Sequence, residues 1–425
     1  MLTAFSRYGA RVLPNTDQIV KACRARGELV QGPAIERFEA AFEQHCGAGT
    51  AVTASYGRMA FYYVLKALWL PPGSEIVFPA LTFWVVPEMA RIAGLTPVFA
   101  DVDPETFCMD PAALERAITP RTSAVVPTHL YGLPCDMDRI LAIAARHDLR
   151  VIEDCAHALG ATYRGRAVGT FGDAAFFSFQ TLKPLNTYGG GMALVRDPAL
   201  ARAVREQARA EPWPTERDVL KRFGAGKAMR IFIRPGVFTI SLFPMLWIGS
   251  WFKARPDVYF WESIRPLDPL PLHYHQRYTN VQAEVGLAAL KCLPQWTAAS
   301  RSNAAQLDAA LRGIPGVRLP SRPGTCQHAY YQYCFYAPDR DEFVRRAIHR
   351  GVDVETLHVD VCTQLPMFGA PRPSPGAERA AEAVQLPAYA SLSSNHLAAI
   401  TERVRAVLTD WGPAGQAAHP AGRGH

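Results

Sequence analysis

The sequence predicts an α/β chain with a large domain built on a mostly parallel sheet flanked by helices, followed by a smaller C-terminal α+β domain. Short apolar runs alternate with helical patterns through the first half, the rhythm of βαβ units whose sheet is covered on both faces. A long amphipathic pattern over 287–311 then leads into a strand over 316–320, a second strand within 328–338, and a helix followed by a strand within 342–358, where VDVETLH over 352–358 is the extended part. At 425 residues, with 49% hydrophobic and 20% charged content, the chain is globular and long enough for two cores.

Residues up to Val30 mix basic and apolar positions, with a helix predicted over 17–26. Gly32-Pro33 is a turn, and residues 34–46 carry the three-and-four spacing of an amphipathic helix. AVTASYGRMAFYYVLKALWL then gives a short strand, a glycine turn and a helix over 58–70. Backbone N–H groups at such a helix start form an anion site. A strand over 75–78, a turn at Pro79, a helix over 83–93 capped by Gly94 and a strand over 97–100 make the next βαβ unit. Another strand follows at 121–127, then a turn and an amphipathic helix, and Val151-Ile152 is a strand that ends in Glu153-Asp154.

The chain is organised around residues 151–191. An apolar run stops in carboxylates, two glycine-punctuated turns follow, and a second apolar run delivers Ser178 and then Lys183. Ligands of open α/β sheets bind at strand ends. An acid at one strand end and a lysine just past the next point to a cofactor that needs both. Pyridoxal phosphate is one: an amine bonds its aldehyde carbon, and an anion keeps its pyridine nitrogen protonated. Lys183 and Asp154 are the candidates for those roles.

Composition narrows the remaining classes. The formal charge of +7 is scattered along the chain, which admits an anionic substrate and gives no argument for nucleic acid. Nine cysteines without a C-x-x-C pair read as reduced thiols. The opening MLTAFSRYGARVLP has no signal-peptide core, so a cytoplasmic location is expected. Metal-ligand spacing, a P-loop and a Ser-His-Asp nucleophile motif are all missing from the sequence.

Glu153-Asp154, His157, Ser178-Phe179 and Lys183 stand in the register of the DegT/DnrJ/EryC1/StrS sugar aminotransferases, and the chain resembles that family from about Gly27 to Leu408. The resemblance implies fold type I, pyridoxal 5'-phosphate and a homodimer. It implies an N-terminal arm over 1–30, a large domain over 31–285, and a linker helix with the small domain over 286–411; the Gly, Ala and Pro tail over 412–425 reads as disordered. Lys183 would be the catalytic residue. Asp154 would pair with the pyridine nitrogen, His157 would contact the ring hydroxyl and Phe83, or else Trp84, would cover the ring face. Ser178 and the turn at Gly57, Arg58 and Met59 would hold the phosphate. His275 would reach the phosphate of the partner subunit. The implied reaction moves an amino group from an amino acid, glutamate by expectation, to a nucleotide-linked keto-sugar that feeds polysaccharide, glycolipid or antibiotic assembly.

Three departures accompany the match. Arg58 stands where the family carries threonine, Gly189 where it carries glutamate and His275 where it carries asparagine. Residues 200–272 also form an insert, uncharged from Gly236 to Phe252 and flanked by Arg230, Arg234, Lys253 and Arg255. Over 231–255 it reads as a packing or subunit-contact segment, as an interfacial membrane-docking segment, or as a span or re-entrant hairpin. Docking would allow a lipid-linked or other hydrophobic acceptor. Two further readings remain: a sugar dehydratase, whose relatives replace the lysine by histidine and which Lys183 therefore argues against, and a non-catalytic homologue with a regulatory or binding role.

Overall fold

Seven strands form the central sheet: β1 Thr50–Ala54, β2 Glu75–Pro79, β3 Thr96–Ala100, β4 Thr122–Val125, β5 Arg150–Asp154, β6 Ala174–Ser178 and β7 Gly191–Val195. The computed structural model describes residues 3–9, 11, 13–252, 263–356 and 359–410. The spatial order is β1-β7-β6-β5-β4-β2-β3; every pair from β6 to β3 is parallel, and β7 runs antiparallel to both β6 and β1.

Helices α1 Thr16–Ala25, α2 Ala34–Cys46, α3 Gly57–Ala67, α4 Val85–Ile92, α5 Pro111–Ala117, α6 Met137–Arg146 and α7 Pro198–Ala210 accompany this sheet. Side chains along each strand alternate between two buried layers, as a period of two requires. Val52, Ala54, Ile152, Phe176 and Ala193 pack with α3, α4 and α7. Ala51, Ala175, Phe177, Met192 and Leu194 turn to the opposite layer beside α2, and Val77, Val125 and Val151 continue that layer with α5 and α6. Asp110 shows how such helices start: its carboxylate accepts from the N–H groups of Ala112 and Ala113, and Pro111 follows it.

The predicted helix over 58–70 ends at Ala67, because Trp69 adopts a φ of 49° and turns the chain outward. The helix predicted from 83 begins at Val85, because Leu81 and Thr82 are drawn into an antiparallel pair with Val361 and Asp360.

The insert folds as α8 Glu216–Phe232, α9 Pro235–Ile240 and α10 Phe243–Trp251. Pro235 and Pro244 sit in the first turns of α9 and α10 and divide the apolar run into short pieces. Among the described residues no helix is long and apolar enough to cross a membrane. Phe238 and Leu246 bury against Ala4, so the packing reading holds for one side of this unit and leaves the other side exposed.

The 32-residue α11 Asn280–Leu311 opens on a capping box between Thr279 and Gln282. Val281 and Val285 at its start pack against the sheet layer of α2, whereas Ala304, Leu307 and Leu311 belong to a separate C-terminal core. That core is closed by α12 Arg340–His349 and α14 Ser394–Thr409, and by β8 Tyr333–Phe335 paired antiparallel with β9 Val384–Leu386, whereas α13 Pro375–Ala380 packs through Ala377 and Ala380 on Leu81, Val102 and Phe107. The strand expected at 316–320 is reduced to one bridge, Arg318 to Tyr336; Pro315 and Pro320 bracket it and remove ladder donors. The strand expected over 352–358 survives as bridges from Val352 to Phe5 and from Glu355 to Gln385, with 357 and 358 outside the described residues. The tail expected to be disordered also lies outside them.

Candidate active site

Asp154 and Ser178 are the last residues of the adjacent parallel strands β5 and β6, and Lys183 follows β6 by five residues. Asp154 is 4% exposed. Its Oδ1 accepts from the N–H of Ala156 at 3.0 Å. Burial lifts its carboxyl to about 6, against the opposing pull of that N–H, Lys183 and His129. Burial likewise lowers the Lys183 ammonium to about 8; Asp154 and Glu355 oppose the shift, and the positive charge of Arg58 reinforces it. The Lys183 Nζ lies 4.9 Å from the centroid of the Tyr331 ring. Its side chain is only half-buried by surface area, so protein atoms crowd the amine while a path to solvent stays open.

His157 is buried three residues beyond Asp154. Its ring stacks on Tyr331 at 4.3 Å and 25° and lies nearly parallel to Tyr131 at 6.4 Å. The two tyrosines fix the plane of the imidazole beside the lysine.

The opposite wall is the start of α3. Tyr56 is extended, and its carbonyl accepts from the N–H groups of Met59 and Ala60. The first N–H groups of a helix have no acceptor inside it and point beyond its end. A Cβ on Gly57 would lie 2.9 Å from the Phe177 carbonyl oxygen and 3.0 Å from the Ser178 Cβ; one on Gly191 would lie 2.3 Å from the Gly57 nitrogen. Two glycines therefore let the opening turn of α3 touch the ends of β6 and β7, which brings Ser178 beside that turn. Met59 has its N–H bonded within the turn and its side chain in the core, so it anchors the turn from behind.

Arg58 points its guanidinium among three rings, 5.7 Å from Tyr56, 5.5 Å from Phe83 and 5.1 Å from Tyr274, and donates to the Tyr274 hydroxyl. Phe83 thus belongs to this cluster, while Trp84 is 1% exposed and sits in the core. His275 is not joined to the group within one chain: its Nδ1 lies 3.1 Å from Glu211 Oε1. The loop reaches the site through its neighbour Tyr274.

Sequence reasoning missed Tyr274, Tyr331, Glu355 and Arg11. Glu355 accepts from the Tyr8 hydroxyl at 2.8 Å and from Gln332 Nε2 at 2.6 Å. Arg11 donates to the carbonyl of Pro184, next to the lysine, at 3.2 Å and to Ser300 Oγ at 3.1 Å. These residues come from distant segments and carry no local motif. Glu153 faces away from the lysine and accepts from the N–H groups of Gly169, Phe171 and Gly172 and from His129 Nε2. His129 Nδ1 accepts from the Cys135 N–H, which assigns the ring proton to Nε2. Although Cys155 lies close to both, these lone pairs are already engaged, and the cluster is a structural hub.

The donor set suits pyridoxal phosphate at three points. A helix start, a serine and an arginine would suit a phosphate, a buried carboxylate would suit a pyridinium and a partly deprotonated amine would suit an aldehyde. Asp154 in particular is a desolvated acid whose burial is only partly offset by its neighbours, the condition a cationic ring nitrogen would relieve.

Relatives are consistent with this geometry. The chain is 33% identical over 383 residues to UDP-N-acetyl-3-dehydro-alpha-D-glucosamine 3-aminotransferase of Acidithiobacillus ferrooxidans, covering 89% of each. It is 47% identical over 174 residues to GDP-perosamine synthase of Caulobacter vibrioides, an alignment that spans 41% of this chain and 47% of that one. DesV of S. venezuelae, solved in complex with a ketimine intermediate, superposes with a TM-score of 0.74 at 28% identity over 92% of this chain and 94% of the other. The DegT/DnrJ/EryC1/StrS aminotransferase family model matches residues 13–405. With its fold-type-I sheet and its lysine facing a buried aspartate, the chain belongs to the DegT/DnrJ/EryC1/StrS aminotransferase family.

Proposed function

We propose that this aminotransferase uses pyridoxal 5'-phosphate to move an amino group from L-glutamate to the keto group of a nucleotide-linked sugar. The proposed setting is a homodimer in the cytoplasm, serving polysaccharide, glycolipid or antibiotic assembly. The observation that carries the reading is the placement of Lys183 just past the end of β6, beside the parallel strand β5 that ends in buried Asp154, close enough that each charge acts on the other. The similarity to enzymes whose names specify nucleotide sugars supports the acceptor.

When bound, the cofactor supplies an electrophilic carbon and an electron-withdrawing ring. Asp154, titrating near 6, is ionised at neutral pH and holds a proton on the ring nitrogen through a charge-assisted hydrogen bond in a low-dielectric setting. Ser178 and the α3 opening turn orient the phosphate, and Arg58 adds positive charge on that side. His157, its plane set by the two tyrosines, would contact the ring hydroxyl. The Lys183 Nζ, with both protonation states populated near pH 8, would take the proton from the amino-bearing carbon of the donor and deliver it to the cofactor carbon that had carried the aldehyde. His275 extends the phosphate site of the partner subunit.

Absorbance spectroscopy of the reconstituted protein tests the reading. The wild type should show a visible band from lysine-bound cofactor that L-glutamate bleaches, and Lys183→Ala should turn over no substrate. A wild type without such a band after incubation with excess cofactor would transfer the assignment to the non-catalytic reading.

A further inference from the structure

Eight of the eleven large apolar side chains that stand exposed among the described residues fall between Ile231 and Phe252. They include Ile240 at 72%, Ile248 at 54%, Trp251 at 58% and Phe252 at 79% exposure. A contiguous patch of this kind marks an interaction surface. It is firmly mounted: Trp251 stacks on His349 of α12 at 4.6 Å, Ser250 Oγ lies 3.0 Å from the same imidazole, and the Ala4 N–H donates to Thr239 Oγ1 at 2.8 Å. The underside of α9 and α10 is thus anchored to the body of the protein, and the apolar side faces outward.

Charge decides what covers it. Between Val219 and Pro256 the sequence holds seven cationic residues and no acid. Within the described part, Lys227 is paired with Asp17 at 2.7 Å, which leaves Arg230 and Arg234 as the cations nearest the apolar side chains in sequence. On α12, Glu342 holds Arg345 and Arg346, and Asp410 holds Arg350, so the acids in that neighbourhood are already matched. A two-fold contact with a second copy would set this positive rim against itself. An anionic surface neutralises it. Tryptophans beside arginines on a short, proline-broken apolar unit suit the boundary between headgroups and acyl chains. Because α9 and α10 have 6 and 9 residues, they can lie along such a boundary and are too short to cross it.

We propose that the outer face of α9 and α10, with the end of α8, docks the enzyme on an anionic lipid bilayer. The interaction is peripheral, combining shallow insertion of Ile240, Ile248, Trp251 and Phe252 with attraction of Arg230 and Arg234 to headgroups.

Flotation of the full-length, cofactor-loaded protein with vesicles of phosphatidylcholine, with and without phosphatidylglycerol, tests this independently of transamination. The protein should float with the anionic vesicles and be released by high salt. Arg230→Gln/Arg234→Gln should lower the partition coefficient about thirty-fold, at the usual worth of a basic residue near an anionic surface. Ile248→Ser/Phe252→Ser alters only exposed positions and should abolish flotation while light-scattering mass and turnover stay unchanged. Failure of the wild type to float with either vesicle, or undiminished flotation of Ile248→Ser/Phe252→Ser, would overturn the proposal. A halved light-scattering mass for that variant would overturn it too, and would identify the face as a subunit contact.

Discussion

At the scale of single residues, the Lys183 amine is set by three charges and by burial. At pH 7.5 an amine titrating at about 8 is neutral in roughly a quarter of molecules, against about one in a thousand at its ordinary value. The neutral form is the one that can bond the cofactor. Uptake should therefore accelerate as pH rises from 6 towards 8 and level off above about 9, followed by absorbance after mixing with free cofactor. Arg58 contributes to the depression, so Arg58→Met should move the midpoint upward by about half a unit to one unit and weaken phosphate retention. Lys183, Asp154 and His157 were legible because their spacing along two strand ends is local. The direction of the Arg58 side chain was not, since it is decided by Tyr274, more than 200 residues away in sequence.

At the scale of elements, the cradle depends on how closely α3 can approach β7. A methyl group on Gly191 has backbone atoms of Gly57 at 2.3 and 2.5 Å, and backbone cannot swing aside as a side-chain tip can. Gly191→Ala should cost about 1–3 kcal/mol in urea unfolding and at least tenfold in cofactor affinity, because the helix start must retreat. Gly224→Ala, in α8, meets nothing within 4 Å and should be neutral or stabilising by up to about 1 kcal/mol. The strands of the large sheet other than β7 were readable since each is a short apolar run between turn signals; β7, which begins on the last of three consecutive glycines, was not. Leu81–Thr82 and β9 were not, because both owe their extended form to partners far along the chain.

At the scale of the whole molecule, residues near the start of the chain bind its last quarter. Arg7 pairs with Asp353 at 2.6 Å, with both side chains about 95% buried, and Tyr8 donates to Glu355. Burial keeps the Asp353 carboxyl above its ordinary range in spite of the arginine. Arg7→Ala would leave that carboxylate unpaired and should cost about 3–5 kcal/mol at pH 8. The penalty belongs to the ionised acid, so it should shrink as pH falls towards 5 and Asp353 takes up a proton; urea unfolding of both proteins across that range measures it. Nothing in the local sequence marks Arg7 or Glu355, and their importance emerges only when the ends of the chain meet.

Arg7 and Asp353 are separated by 346 positions. A ribosome adding about 5–20 residues per second needs roughly 20–70 s to cover that interval, and the arm has no native partner in the meantime. The large sheet, complete by Val195, can assemble while synthesis continues. The clasp that carries Glu355 towards Lys183 must wait until the small C-terminal core exists, so competence to hold the amine in its final electrostatic setting is acquired late in the life of the nascent chain.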